Sequence, residues 1–369
     1  MNETYRPIFE PVCLPNGIEL KNRMVMAPMT IVSSNPDGSV TDAEVDYYAR
    51  RSGGVGMVIT AAASIVTTDG FPGMLSANRD ELVPSLRRLA AAIKEQGSRA
   101  VIQLVHAGRK AQPSEHGPVA PSAFQDDQGS PIPRELTDAE IRDLIRAFGD
   151  ATRRAIEAGF DGVEIHGANG YLIQQFYSPF TNRREDHWGG TMEKRLNFPL
   201  AIIEEIKRVV KEHAREPFLI GYRFSPEEPE TPGLTMEETL FLMDHLKEQG
   251  LDYLHVSLHD FWSNARRGAD ESRTRIELLL ERIGGKVPLI GVGNIFTADE
   301  AVKALQTGVE LLALGRELII EPEWVQKVAE GREGEIQTSF TKQDQARLTL
   351  PDPLWNMIQG NPEWFQLKD

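Results

Sequence analysis

Eight short apolar runs, each followed by an amphipathic stretch, constrain the fold of this chain more than any other feature. They are RMVMAP (23–28), VGMVITAAA (55–63), SRAVIQLV (98–105), DGVEIH (161–166), PFLIGYRF (217–224), LDYLHVS (251–257), VPLIGVG (287–293) and ELLALGR (310–316). Most are continuously apolar rather than alternating, as strands covered on both faces must be. The stretches between them carry helix punctuation. Thr137 with Glu140, and Thr297 with Glu300, make capping-box patterns at helix starts. Gly97, Gly159, Gly250, Gly284 and Gly308 each close a helix just before the next strand. Eight strand–helix units in a row predict a closed (β/α)8 TIM barrel of α/β class rather than an open sheet. A chain of 369 residues is long for one ordinary domain but within the range of a single α/β barrel.

Two insertions break the repeat. Residues 106–136 are rich in Pro, Ser and Gly and too long for a plain βα connection, which predicts a lid over the barrel mouth after the third strand. Residues 167–190 separate the fourth strand from its helix. No linker divides the chain, so residues 1–369 read as one domain, with a C-terminal extension from about 335 to 369. That tail packs either on the barrel or on a neighbouring subunit, which leaves open a homo-oligomer and whether an arginine such as Arg347 reaches into a partner's site. The net charge of −15 argues against nucleic acid or an anionic membrane surface as partner. The N-terminus MNETYRPIFEP lacks the pattern of a secretory leader, and no apolar run is long enough to span a bilayer. Cys13 is the single cysteine, too few for a disulfide, a zinc knuckle or an iron–sulfur ligand set, and low cysteine usage fits the cytoplasm.

In a barrel of this kind the chemistry sits at the carboxyl ends of the strands. Those ends carry Thr30, Ala62, Gln103, His166, Arg223, Ser257, Gly293 with Asn294, and Gly315 with Arg316. Gln103 and Arg223 lie inside apolar strands, where a buried amide or cation needs a partner. A structural ion pair with a nearby carboxylate is one answer for Arg223. A bound ligand with an anionic, acceptor-rich edge explains both residues together. GVGNIFTADE and LGRELI run from strands seven and eight into helices, the usual place for a phosphate held by backbone N–H groups and a helix N-terminus. Their glycines also suit tight turns for steric reasons alone. GGVGMV (53–58) precedes a strand rather than following one and is no dinucleotide fingerprint. His255 and His259 have a zinc-like spacing but fall on a strand and its loop, so no metal is expected.

With these residues in place, the chain resembles the old yellow enzyme family of FMN-dependent ene-reductases over about residues 5 to 335. The resemblance rests on NRMVMAPMT (22–30), IQLVHAGRKA (102–111), GFDGVEIHGANGYLIQQFYSPFTNRREDHWGGTMEKR (159–195), GYRFS (221–225), GVGNIF (291–296) and ALGRELI (313–319). It implies non-covalently bound FMN, with Pro28, Met29 and Thr30 against the isoalloxazine ring and Ala62 lending backbone contacts. It implies that Gln103 and Arg223 hold the pyrimidine side, and that Gly293, Asn294, Gly315 and Arg316 hold the phosphate. His166 and Asn169 align with the pair that hydrogen-bonds a substrate carbonyl, and Tyr171 with the proton donor.

The implied activity is oxidation of NADH or NADPH and reduction of the activated C=C bond of a small α,β-unsaturated carbonyl compound. Hydride would leave flavin N5 for the β-carbon while Tyr171 protonates the α-carbon. The rivals are nitro-compound reduction, free-flavin reduction or demethylation on the same site, and a catalytically silent flavin-binding regulatory protein. Some features depart from the family. One branch has cysteine at the position of Thr30 and tyrosine at that of Val32. Many members have histidine in place of Asn169. The chain also lacks the cysteines of an iron–sulfur domain that some relatives carry. The residues after strand six, His259, Phe261 and Trp262, are expected with the lid to set substrate choice.

Overall fold

β1 (Met24–Met26), β2 (Met57–Ser64), β3 (Arg99–Val105), β4 (Gly162–Gly167), β5 (Leu219–Phe224), β6 (Tyr253–Val256), β7 (Leu289–Val292) and β8 (Leu311–Leu314) form one closed parallel barrel in chain order. The last strand pairs with the first, Leu312 opposite Met24 and Leu314 opposite Met26, so no edge is left. The computed structural model describes residues 2–67, 70–112, 117–125 and 131–368. Each expected apolar run contains its strand to within one residue.

The continuous apolarity of the runs follows from two separate packings. Val25, Val101, Leu219, Ile290 and Leu311 fill the barrel interior. Their neighbours in sequence, such as Met24, Met26, Ala100 and Leu312, face the surrounding helices instead. A hairpin of Val12–Cys13 and Glu19–Leu20 closes the floor, adding Leu14, Ile18 and Leu20 to the interior cluster. The Asn16 N–H donates to Asp252 Oδ1 at 3.2 Å and fixes that plug to the start of β6.

The outer layer is α1 (Asp42–Ser52), α2 (Val83–Glu95), α3 (Asp138–Ala158), α4 (Asn197–His213), α5 (Met236–Leu246), α6 (Arg275–Ile283), α7 (Ala298–Leu305) and α8 (Trp324–Glu330). Both expected capping boxes form, at Thr137 with Glu140 and at Thr297 with Glu300. Two more start α5 and α6. Each satisfies two helix-end N–H groups that the helix itself cannot. Pairing between β2 and β3 shifts register between Ile59 and Ala62. The Ala61 N–H donates to the Tyr48 hydroxyl of α1 at 2.6 Å, which ties the shifted segment to the outer layer.

Of the insertion over 106–136, residues 113–116 and 126–130 lie outside the described residues. Its described flanks are tied together, Val119–Ala120 pairing with Arg134–Glu135. Arg184 Nη1 donates to the carbonyls of Pro121 at 2.9 Å and Leu136 at 2.7 Å.

The C-terminal extension packs on its own barrel. Leu348, Leu354, Ile358 and Phe365 are buried, each burial contributing about 1.5–3 kcal/mol. The fully buried Arg51 of α1 donates through Nη2 to the Leu348 carbonyl at 2.6 Å. Arg347 pairs with Asp344 of its own segment at 2.8 Å. α9 (Asp352–Gly360) then carries the chain back across the mouth of the barrel.

Candidate active site

The carboxyl ends of the strands surround a cavity of about 560 Å3, within the range of ligand and cofactor pockets. β1 contributes Pro28, Met29 and Thr30, β5 contributes Arg223, and the turns after β7 and β8 contribute Gly293, Asn294, Gly315 and Arg316. Asn169 lines the cavity as well, from the turn after β4. Four expected site residues lie off this lining: Ala62, Gln103, His166 and Tyr171. Ala62 lines a separate small void of about 20 Å3 together with Thr30, Glu44 and Tyr171. Gln103 is buried beneath the cavity, its Nε2 donating to Glu164 Oε1 at 2.7 Å.

The local chain explains how β4 delivers its polar residues. Gly167 lies so close to β5 that a Cβ would stand 2.4 Å from the Tyr222 hydroxyl, so only glycine fits. Asn169 then adopts a left-handed conformation, φ 57°, which asparagine tolerates better than most residues. Three bonds hold it there. Its N–H donates to Ser225 Oγ at 2.8 Å, its Nδ2 to Ser257 Oγ at 3.0 Å, and its carbonyl accepts from Lys110 Nζ at 2.6 Å. Tyr171 caps the short helix Leu172–Tyr177. Its ring lies 5.1 Å from that of His166, with Lys110 Nζ 5.4 Å from the tyrosine centroid on its face.

His166, Arg223 and His255 stand side by side across β4, β5 and β6. Burial, with the Arg223 charge next and then His255 and Lys110, holds His166 well below the usual histidine range. It is therefore a neutral imidazole at physiological pH, with one N–H to donate. Its Nδ1 is buried without a hydrogen-bond partner. Beneath it the fully buried Glu164 accepts from Gln103 and meets His255 Nδ1 at 2.9 Å. Burial alone would raise that carboxyl, but His255, the Arg223 charge and the Gln103 amide together keep it below its usual value. So Arg223 has a counter-charge nearby, yet its Nε is buried with no acceptor. An orphaned charged donor is expensive, which favours an acceptor-rich ligand over a purely structural ion pair.

The other end of the cavity suits an anion. Gly293 has φ 131°, and a Cβ there would meet the Phe261 backbone nitrogen at 2.6 Å. The following Asn294 is left-handed at φ 51°, and its Oδ1 accepts from Arg316 Nη2. Arg316 opens the short helix Arg316–Ile320, with its guanidinium over Phe296 at 5.4 Å and Trp364 at 5.0 Å. Its Nη1 donates to the Trp364 carbonyl at 2.7 Å. Glu317, also on the lining, has both carboxyl oxygens buried and unpartnered. Burial, then Glu321 and Glu300, push it up to about 10, so it is neutral at pH 7 and adds no charge against an anion.

Several site residues escaped the sequence reading. Met357, Asn361, Trp364 and Phe365 of the C-terminal extension line the cavity, and nothing in their pattern marks them for it. Glu164 lies inside the EIHG motif, and its buried polarity was the available signal. His255 is committed to Glu164, whereas His259 is exposed and lines the cavity with Leu258. Phe261 is fully buried, and Trp262 packs against it at 4.9 Å between centroids.

Comparison with known proteins gives a consistent picture. The model of the NADH:flavin oxidoreductase / NADH oxidase family matches residues 7–335. The probable NADH-dependent flavin oxidoreductase YqiG of Bacillus subtilis (strain 168) is 54% identical, the match covering 100% of both chains. The NADH:fumarate oxidoreductase of Klebsiella pneumoniae (strain 342) is 42% identical over 94% of this chain, which spans only 38% of that larger protein. Among solved structures, the old yellow enzyme homologue from Zymomonas mobilis superposes with a TM-score of 0.75 at 27% identity, covering 88% of this chain and 92% of the other.

Proposed function

The chain belongs to the NADH:flavin oxidoreductase / NADH oxidase family, an FMN-dependent oxidoreductase reduced by NADH or NADPH, and from that premise we propose that it reduces the activated C=C bond of α,β-unsaturated carbonyl compounds. The observation that carries this reading is the trio at the end of β4. A neutral His166 with an unpartnered nitrogen packs against Tyr171, and the tethered Asn169 between them in sequence lines the cavity. The name of the fumarate-reducing relative supports an alkene conjugated to a carbonyl group, although this chain covers only part of that protein.

Bound FMN, once reduced by the nicotinamide nucleotide, supplies a hydride. The chain's own residues do the rest. Arg223, with Gln103 anchored on Glu164 behind it, binds the pyrimidine edge, and the buried Nε gains the acceptor it lacks. Pro28, Met29 and Thr30 support the ring, and Ala62 flanks it from β2. Gly293, Asn294, Gly315 and Arg316 hold the phosphate. His166 and Asn169 donate to the substrate carbonyl oxygen, whose negative charge grows toward the transition state, so their hydrogen bonds favour that state over the ground state. Tyr171 protonates the α-carbon. A phenol with a pKa of about 10 is protonated at neutral pH, and the nearby Lys110 ammonium eases the charge left on its oxygen. The exposed single Cys13 supports a reducing, cytoplasmic setting.

The visible spectrum of the purified protein, before and after addition of a simple phenol, tests this reading. Flavin bands are expected, and a new long-wavelength charge-transfer band as the phenolate docks on His166 and Asn169. Tyr171→Phe should keep both signals while slowing enone reduction by about 10²- to 10⁴-fold, the usual weight of a general acid. An unchanged rate in that variant would remove Tyr171 from the mechanism.

A further inference from the structure

A second cleft, of about 540 Å3, adjoins the flavin cavity and shares Asn169 with it. We propose that it receives the adenosine half of the reduced nicotinamide dinucleotide, and that Glu230 on its wall selects NADH over NADPH. This rests on the flavin reading above, with the nicotinamide taken to stack on the ring where the substrate carbonyl docks, beside Asn169. The remainder of the dinucleotide then has to leave through an adjoining opening. At the phosphate end the cavity is walled by Trp364 and Phe365 of the C-terminal extension. The cleft beyond Asn169 opens from the catalytic end itself.

The polar groups of the cleft divide by charge. Lys110, tethered to the Asn169 carbonyl, places an ammonium at the inner end, where a pyrophosphate would follow the nicotinamide ribose. Arg109 lines the same cleft, its guanidinium 4.5 Å from the centroid of Phe124. On the other wall lies the run Glu227–Glu228–Pro229–Glu230.

Two of those carboxylates are already engaged. Glu227 pairs with Arg275 at 2.6 Å and accepts from the N–H groups of Arg266 and Arg267. Glu228 accepts from Gln174, Ser178 and the Leu234 N–H. Glu230 makes no side-chain hydrogen bond or salt bridge among the described residues, although its charge acts on the Lys110 ammonium and on Glu228. Its loop is pinned nonetheless, since Arg267 donates to the Glu228 carbonyl at 2.6 Å and to Thr231 Oγ1 at 2.8 Å. A carboxylate with no hydrogen-bond partner on a fixed loop can accept from the hydroxyls of the adenosine ribose. The same carboxylate repels the 2′-phosphate that distinguishes NADPH.

The test is anaerobic flavin reduction by NADH and by NADPH, followed by stopped flow in the intact holoprotein. The parent protein should prefer NADH, and Glu230→Gln should narrow that preference by about tenfold, the scale of repulsion between near but hydrated charges. The change should lie in the apparent dissociation constant for NADPH rather than in the limiting reduction rate. Glu230→Lys should go further and favour NADPH. The parent's preference should also shrink as salt is raised, which a merely structural role for Glu230 would not produce. Equal use of both nucleotides by the parent, or an unchanged ratio in both variants, overturns the proposal while leaving the flavin reading intact. A flavin that neither nucleotide reduces overturns both.

Discussion

Arg223 shows how one residue can be balanced for folding and still held ready for a ligand. Glu164 lies near enough to offset its charge, yet the Nε remains without an acceptor beside the cavity. Replacing it by glutamine should weaken FMN retention by about tenfold to a hundredfold, the weight of a lost hydrogen bond to a charged group. Flavin release measured by fluorescence checks this, and an unchanged dissociation constant would return Arg223 to a purely structural role. His166 illustrates the converse. Burial and neighbouring cations keep it neutral, so it can donate a hydrogen bond without carrying a charge that titrates near pH 7. Asn169, the other donor of the proposed clamp, does not titrate at all. Below them Glu164 holds Gln103 on one oxygen and His255 on the other.

At the scale of elements, the C-terminal extension is part of the main cavity, where FMN is proposed to bind. It is anchored at Leu348 by Arg51 and returns through α9 to put Trp364 against Arg316. Trp364 is 42% exposed, so its ring adds little to the core; it meets the Phe365 ring at 4.4 Å between centroids and the Arg316 guanidinium at 5.0 Å. Trp364→Ala should therefore loosen FMN by about 0.5–2 kcal/mol, the range for a cation–π contact, with little change in Tm. Unchanged flavin affinity would mean that the Arg316–Trp364 stack is incidental to the phosphate end. The turn after β4 works on the same principle of anchoring. Ser225 and Ser257, from the ends of β5 and β6, hold Asn169 where neither its own strand nor its helix reaches.

At the scale of the whole molecule, an acidic chain encloses a basic site. The net charge is −15, yet Arg223 and Arg316 line the main cavity, while Arg109 and Lys110 face Glu227, Glu228 and Glu230 in the adjoining cleft. The barrel also buries acids at a cost. Glu44 of α1 is fully buried with Oε1 unpartnered, and burial pushes it up to about 7 from an ordinary 4.5, against the hydrogen bond from Ser34. The folded form thus keeps its proton while the unfolded chain loses it. Stability should fall as pH rises from about 4.5 to about 7, and this contribution should then level off. Glu44→Gln keeps an acceptor for Ser34 and removes that slope. Urea denaturation across this pH range checks it, and a parallel pH profile in the variant would show that Glu44 contributes none of the slope.

The eight strands, their order and the capping boxes were legible because they are written locally, in the apolar runs and the Thr–Glu pairs that follow. Reading only the strand ends also picked out Arg223, Asn294 and Arg316, since the fold brings all such ends to one face. Other facts depend on contacts between distant residues. Gln103 and Ala62 sit at neighbouring strand ends, yet one is turned under the cavity toward Glu164 and the other lines a separate void. A strand pattern says which residues are buried but not which partner a buried amide meets. The pairing of Glu164 with His255, the serines that hold Asn169, and the return of the C-terminal extension over Arg316 likewise join positions far apart in the chain. The sequence by itself determined the barrel and the face that carries its chemistry. Only closure of the barrel, which brings β4, β5, β6 and the C-terminal extension within hydrogen-bonding distance, decided how that face is built.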